Sequence, residues 1–142
     1  TTDITGLKAF PQYLTILFEI DSLILNDDRH LNNIAVIEQK GTFDYCPIFD
    51  QGAGLLSNTQ ISRMDIAPRA LASALRARPF NTTFNRQVKA IQGLYGQQLH
   101  IQRFTSNELI EMLQPLLYYP SRDRGIITER VCETVLSRQK LF

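Results

Sequence analysis

Ile24-Leu25-Asn26-Asp27-Asp28-Arg29-His30-Leu31-Asn32-Asn33 is the stretch on which the fold turns, because an apolar helical period ends inside it and a polar loop begins. Upstream, Leu7, Phe10, Leu14, Leu17 and Ile24 recur at spacings of three, four and seven, the period of an amphipathic helix. Pro11 falls near the first turn of that helix, where a missing N–H costs little. The Asn and Asp side chains of Asn26 to Asp28 compete for backbone hydrogen bonds and favour a loop. Phe10, Leu14 and Leu17 form the expected core stripe, and Asp21 is read as a brace for the loop.

Beyond the loop, Ile34 to Ile37 is apolar and partly β-branched, and Gly41 precedes a second strand-like segment from Phe43 to Phe49. Together they predict a short hairpin. Gly52 and Gly54 then open a polar connection through Ser57, Asn58 and Thr59. Helical signals follow near Ala67 to Arg76, Phe84 to Tyr95, Ser106 to Leu117 and Arg122 to Lys140. The third of these is the best delimited, since Thr105 and Glu108 have capping-box spacing and Pro115 and Pro120 lie near its end. Leu109, Met112 and Leu113 read as core.

A chain of 142 residues with 44% apolar and 20% charged residues matches one soluble globular domain, residues 1–142, of mainly α class with a short β-hairpin. A formal charge of +1 is too small to mark a nucleic-acid surface, so no nucleic-acid partner is expected. Lys8, Glu19 and Asp21 interrupt the most apolar stretch, so no membrane span of ~18 residues is expected either. Cys46 and Cys132 form no CxxC pair and read as free thiols in a cytoplasmic protein. Arg63, Arg69, Arg76 and Arg78 read as a solvated basic face rather than a receptor for an acidic or phosphorylated segment. Arg78-Pro79-Phe80 reads as a helix terminator with an aromatic anchor.

Two polar clusters flank the hairpin, Asp28 to Asn33 before it and Asp50-Gln51-Gly52 after it. A tight hairpin brings their ends together. Phosphoryl transfer needs one carboxylate to take or orient a hydroxyl proton and hard oxygen ligands to hold magnesium against phosphates. Asp28 precedes Asn33 by five positions, the spacing of the catalytic Asp and metal-binding Asn in the protein-kinase loop, and a D-x-G follows after a strand. The competing reading is a polar connector whose Asp and Asn side chains satisfy local backbone groups.

Asn26, Asp28, His30 and Asn33 resemble the N-x-D-x-H-x-x-N catalytic loop of HipA-like kinases, and Pro47-Ile48-Phe49-Asp50-Gln51-Gly52 resembles their metal-binding segment. The D-R-H-x-x-N run is also similar to that of phosphatidylinositol kinases. The likeness covers about residues 10 to 56, and Gln51 departs from it where many kinases carry Phe. It implies a protein-kinase-like C-terminal lobe, with the hairpin carrying the catalytic and metal-binding loops. It further implies Asp28 as catalytic base, Asn33 and Asp50 as ligands of Mg2+ and so of Mg-ATP, and His30 as a phosphate contact or a structural hydrogen-bonder. The expected activity is transfer of the γ-phosphoryl group to a Ser or Thr hydroxyl of a protein substrate.

Two alternatives remain: a kinase for lipid or small-molecule hydroxyls, and a catalytically incomplete module that acts by binding a partner. The second arises because only Lys8 precedes the loop, with no Gly-rich segment to cover a nucleotide. An N-terminal nucleotide-binding lobe is therefore expected outside these residues, and the 142-residue chain alone is expected to be inactive. An apolar face left where that lobe docks would favour self-association.

Overall fold

The computed structural model describes residues 1–142. A single-turn helix, α1 (Thr2–Thr5), precedes α2 (Phe10–Ile24), the helix expected from the apolar period. Pro11 occupies its first turn, as anticipated. The helix stops at Leu25, which adopts the left-handed conformation (φ 55) and donates its N–H to the Asp21 carbonyl. A left-handed residue with a side chain costs about 1–2 kcal/mol. Burial of Leu25 offsets this, because its side chain packs into a core with Leu56, Leu71, Leu75, Ala77 and Phe84, and burying a leucine contributes roughly 1.5–3 kcal/mol.

The hairpin is present as β1 (Val36–Gln39) and β2 (Thr42–Tyr45), paired antiparallel with Val36 opposite Tyr45 and Gln39 opposite Thr42. Lys40 and Gly41 both have positive φ (53 and 80). That is the turn geometry whose twist matches the flanking strands. The ladder is shifted from the expected strands: Ile34 and Ala35 precede it, and Cys46 to Phe49 run on unpaired. Pro47 has no N–H to extend it.

Three of the four later helices run close to expectation: α3 (Pro68–Ala74), α4 (Phe84–Tyr95) and α6 (Arg124–Arg138). The other, α5 (Ser106–Met112), begins at the capping box: Thr105 Oγ1 accepts from the Glu108 N–H, and Glu108 Oε2 accepts from the Thr105 N–H at 2.7 Å. It ends earlier than expected. Pro115 lacks an N–H and crowds the preceding turn, so the chain continues as a 3-10 segment over Gln114–Tyr118. The expectation that Met112 belongs to the core is therefore wrong. Met112 is 63% exposed, whereas Leu109 packs with Cys132 and Val135.

Helix α2 packs most heavily on α4, and α6 bears on α2, α3 and α5. Buried polar side chains join these elements. Glu19 on α2 is fully buried and accepts hydrogen bonds from Gln92 Nε2 (2.6 Å), the Leu99 N–H (2.7 Å) and the Gln98 N–H (3.1 Å). Its carboxylate ties the segment after α4 to the central helix. From α6, Arg138 donates to the Ser22 carbonyl (2.8 Å), to Ser22 Oγ and to Asn85 Oδ1 (2.6 Å). Burial with these neutral acceptors pushes its pKa down to about 10. Arg130 donates to the Ser62, Arg63 and Ile66 carbonyls and so anchors the connection ahead of α3. No helix is long and apolar enough to cross a membrane.

Candidate active site

The loop after α2 is built on a buried brace. Arg29 is fully buried and grips Asp21 with Nε to Oδ2 and Nη2 to Oδ1, both at 2.8 Å. Burial alone would lower the Arg29 pKa, but the bond to Asp21 and its charge outweigh that and hold it above the ordinary value. The remaining nitrogen, Nη1, donates to the Asn33 carbonyl (3.1 Å) and the Phe49 carbonyl (2.7 Å). One side chain thereby connects the end of α2, the far end of the loop and the residue before Asp50. Asn26, also buried, adds a second link: its Nδ2 donates to Asp21 Oδ1 at 2.8 Å and to the Asp50 carbonyl at 3.5 Å, while its Oδ1 accepts from the Asp28 N–H at 3.4 Å.

With the backbone held in this way, the side chains of Asp28, His30, Asn33 and Asp50 line one open cleft of about 610 Å³, together with Leu31, Asn32, Arg78 and Pro79. His30 Nε2 lies 2.6 Å from Asp28 Oδ1, and both side chains are more than half exposed. Asn33 Nδ2 donates to Asp50 Oδ2 at 2.6 Å. Asp50 sits in the left-handed region (φ 60), a conformation that Asp tolerates better than most residues. The four candidate residues are thus brought together, Asp28, His30 and Asn33 from before a short hairpin and Asp50 from after it.

The donor set suits magnesium. An amide carries both a donor and an acceptor, so Asn33 can keep its bond to Asp50 through Nδ2 and still offer Oδ1. Magnesium needs no larger set of protein ligands, since it binds through one or two carboxylates and completes its shell with phosphates and water.

Arg29 is committed to the interior and contacts neither Asp27 nor the cleft, because Asp21 and two carbonyls take its donors. Asp21 braces the loop as expected, though through the Arg29 and Asn26 side chains rather than through the loop backbone. The four later arginines are all exposed, as expected of solvated side chains; Arg63 is bonded to Asp65, Arg69 approaches Glu133, and Arg78 lines the cleft. No local pattern marks Arg78, since it reaches the cleft from the turn that precedes α4.

No family model, curated protein or solved structure matches the chain. The functional reading therefore rests on the residues of the cleft.

Proposed function

We propose that this chain carries the catalytic and metal-binding loops of a HipA-like, protein-kinase-like phosphotransferase that moves the γ-phosphoryl group of ATP to a Ser or Thr hydroxyl of a protein. The observation that supports it is the cleft that unites Asp28 and His30 with the Asn33–Asp50 pair, which sit 2.6 Å apart. In this reading Asp28 accepts the proton of the acceptor hydroxyl as its oxygen bonds to the γ-phosphorus and the bond to the bridging oxygen of ADP breaks. His30, 2.6 Å from one Asp28 oxygen, holds that carboxylate in orientation. Asn33 Oδ1 and the Asp50 carboxylate would hold Mg2+, which when bound neutralises the phosphate charge that builds up during transfer. Exposed Leu31 and Phe49 beside the loops support a nucleotide-binding lobe or partner chain over this face.

One observation favours a second reading, a catalytically incomplete module. Among residues 1–27 Lys8 is the sole lysine and no Gly-rich segment accompanies it, so these residues do not themselves supply the lysine and covering loop that hold a kinase's nucleotide. The test is γ-phosphoryl transfer from labelled ATP by the intact gene product, with protein and lipid acceptors, beside its Asp28→Asn and Asp50→Ala variants. Label on protein that both substitutions abolish supports the kinase reading. Label on lipid redirects the substrate class, and no transfer from folded protein favours the incomplete module.

A further inference from the structure

Arg78 is the one arginine or lysine lining the cleft, and its surroundings separate it from the other exposed arginines. Arg63 spends two nitrogens on Asp65, and Arg69 Nε lies 3.8 Å from Glu133. Arg76 does not line the cleft, and none of the four ion pairs of the fold involves Arg78.

The backbone that presents Arg78 is fixed all the same. Ala77, immediately before it, is fully buried in the core and donates its N–H to the Thr82 carbonyl at 2.7 Å. Gln87 Nε2 donates to the Arg78 carbonyl, and Phe80 packs edge-on against Phe18 with ring centroids 5.8 Å apart. A pinned main chain therefore carries an exposed, unpaired guanidinium into the cleft.

Its position within the cleft is informative. Ala77, next to Arg78, belongs to the same core cluster as Leu25, three residues ahead of Asp28, which sets the turn carrying Arg78 beside the start of the loop, towards the proton-accepting end; the charge of Arg78 also reaches Asp27. In the proposed reaction that end receives the acceptor hydroxyl, whereas Asn33 and Asp50 serve the nucleotide end. A planar guanidinium there matches a carboxylate in a two-pronged geometry.

The geometry points to Arg78 as a specificity residue that binds an acidic side chain next to the acceptor Ser or Thr, so that the preferred protein substrate presents its hydroxyl in an acidic segment. The inference rests on the phosphotransferase reading for the identity of that acceptor. Since the cleft is open, the contact is solvent-exposed. Its effect should be about fivefold in kcat/KM and should shrink as salt rises.

The experiment compares Ser peptides that differ only in flanking Glu, Gln or Lys. Binding is measured on the 142-residue chain by the chemical shifts of its arginine Nε–H groups, and transfer on the intact gene product. Wild type should prefer Glu over Gln, Arg78→Ala should remove the preference, and Arg78→Glu should turn it towards Lys. A purely structural role would not produce that inversion. Transfer that persists with an unchanged acidic preference in both variants overturns the assignment of Arg78 and leaves the kinase reading intact. An Arg78-dependent acidic preference in binding, without any transfer, retains the anion contact and removes the kinase reading. Absence of both discards the two together.

Discussion

Arg29 and Asp21 lie side by side in the interior, joined by two hydrogen bonds of 2.8 Å, and Arg29 uses its third nitrogen to hold the carbonyls of Asn33 and Phe49. The pair sits beneath the cleft and none of its atoms faces the reacting groups. Its effect is to set the distance between the two loops that do. A buried pair of this kind adds little net stability over an apolar pair, but removing one member leaves the other charged and unsatisfied.

Arg29→Met should therefore cost about 3–5 kcal/mol, seen as a lower urea midpoint, and Asp21→Asn should cost less because its amide retains one oxygen acceptor. The double variant should recover part of the loss, since no unpaired charge is left. Full additivity of the two single effects would contradict the coupling.

Asp28→Asn and Asp50→Ala should each lower phosphoryl transfer by at least about 100-fold. The Asp28 side chain is exposed, so Asp28→Asn should leave the unfolding free energy within about 0.5 kcal/mol of wild type, whereas Asp50→Ala should cost about 1 kcal/mol because Ala tolerates the left-handed conformation of that position (φ 60) less well than Asp. His30→Ala should have a smaller effect on transfer than Asp28→Asn, because it removes the orienting contact and leaves the carboxylate. A transfer rate indifferent to Asp28 would rule it out as the base.

Gly54 is closely packed: a Cβ placed there would lie 2.9 Å from Ile24 Cδ1 and 3.1 Å from the Gln51 carbonyl oxygen. Gly54→Ala should destabilise by about 1–3 kcal/mol. Ile24→Val, which deletes the nearer methyl, should restore part of that in the double variant, measurable as a coupling in thermal unfolding.

Glu19 provides a third stability test. Glu19→Ala strands the Leu99 and Gln98 amides and Gln92 Nε2, at a cost of about 1–3 kcal/mol for each buried donor left unpaired. Hydrogen exchange at the Leu99 amide should accelerate more than exchange in α5, which is capped independently at Thr105.

The pH dependence follows from Asp27. Burial is the larger influence and raises its pKa above the usual 3.8, with the charge of Arg78 acting the other way. Since the folded protein favours the protonated carboxyl, Asp27 opposes folding at neutral pH, and that opposition fades as pH falls through its folded pKa towards the unfolded one. Asp27→Asn should thus stabilise at pH 7 by under about 1 kcal/mol, solvent screening keeping the gain small. The gain should vanish in urea titrations near pH 3.5. A gain that grows on acidification would reverse the sign of the argument.

Much of this architecture was legible in the chain. The period of Phe10, Leu14 and Leu17, the Lys40-Gly41 turn and the capping box at Thr105 are local signals. Each is decided by backbone sterics and hydrogen bonds within a few residues, so α2, the hairpin and the start of α5 could be read directly. The spacing of Asp28 and Asn33 around a loop, with Asp50 after a hairpin, was local in the same sense. Met112 was misread because its helical period continues on paper while Pro115 ends the helix in space.

The sequence by itself determined the mainly helical class, the single hairpin and the candidates Asp28, Asn33 and Asp50, because short-range periodicity and spacing carry that information, while His30 was named only through the family resemblance of the loop. Only the tertiary structure decided that Arg29 belongs to Asp21, that Glu19 receives the segment after α4 and that Arg78 enters the cleft. Those choices depend on how α2, α4 and the turn before α4 dock. Docking is governed by burial and by the saturation of buried donors across long stretches of chain, which no local pattern encodes.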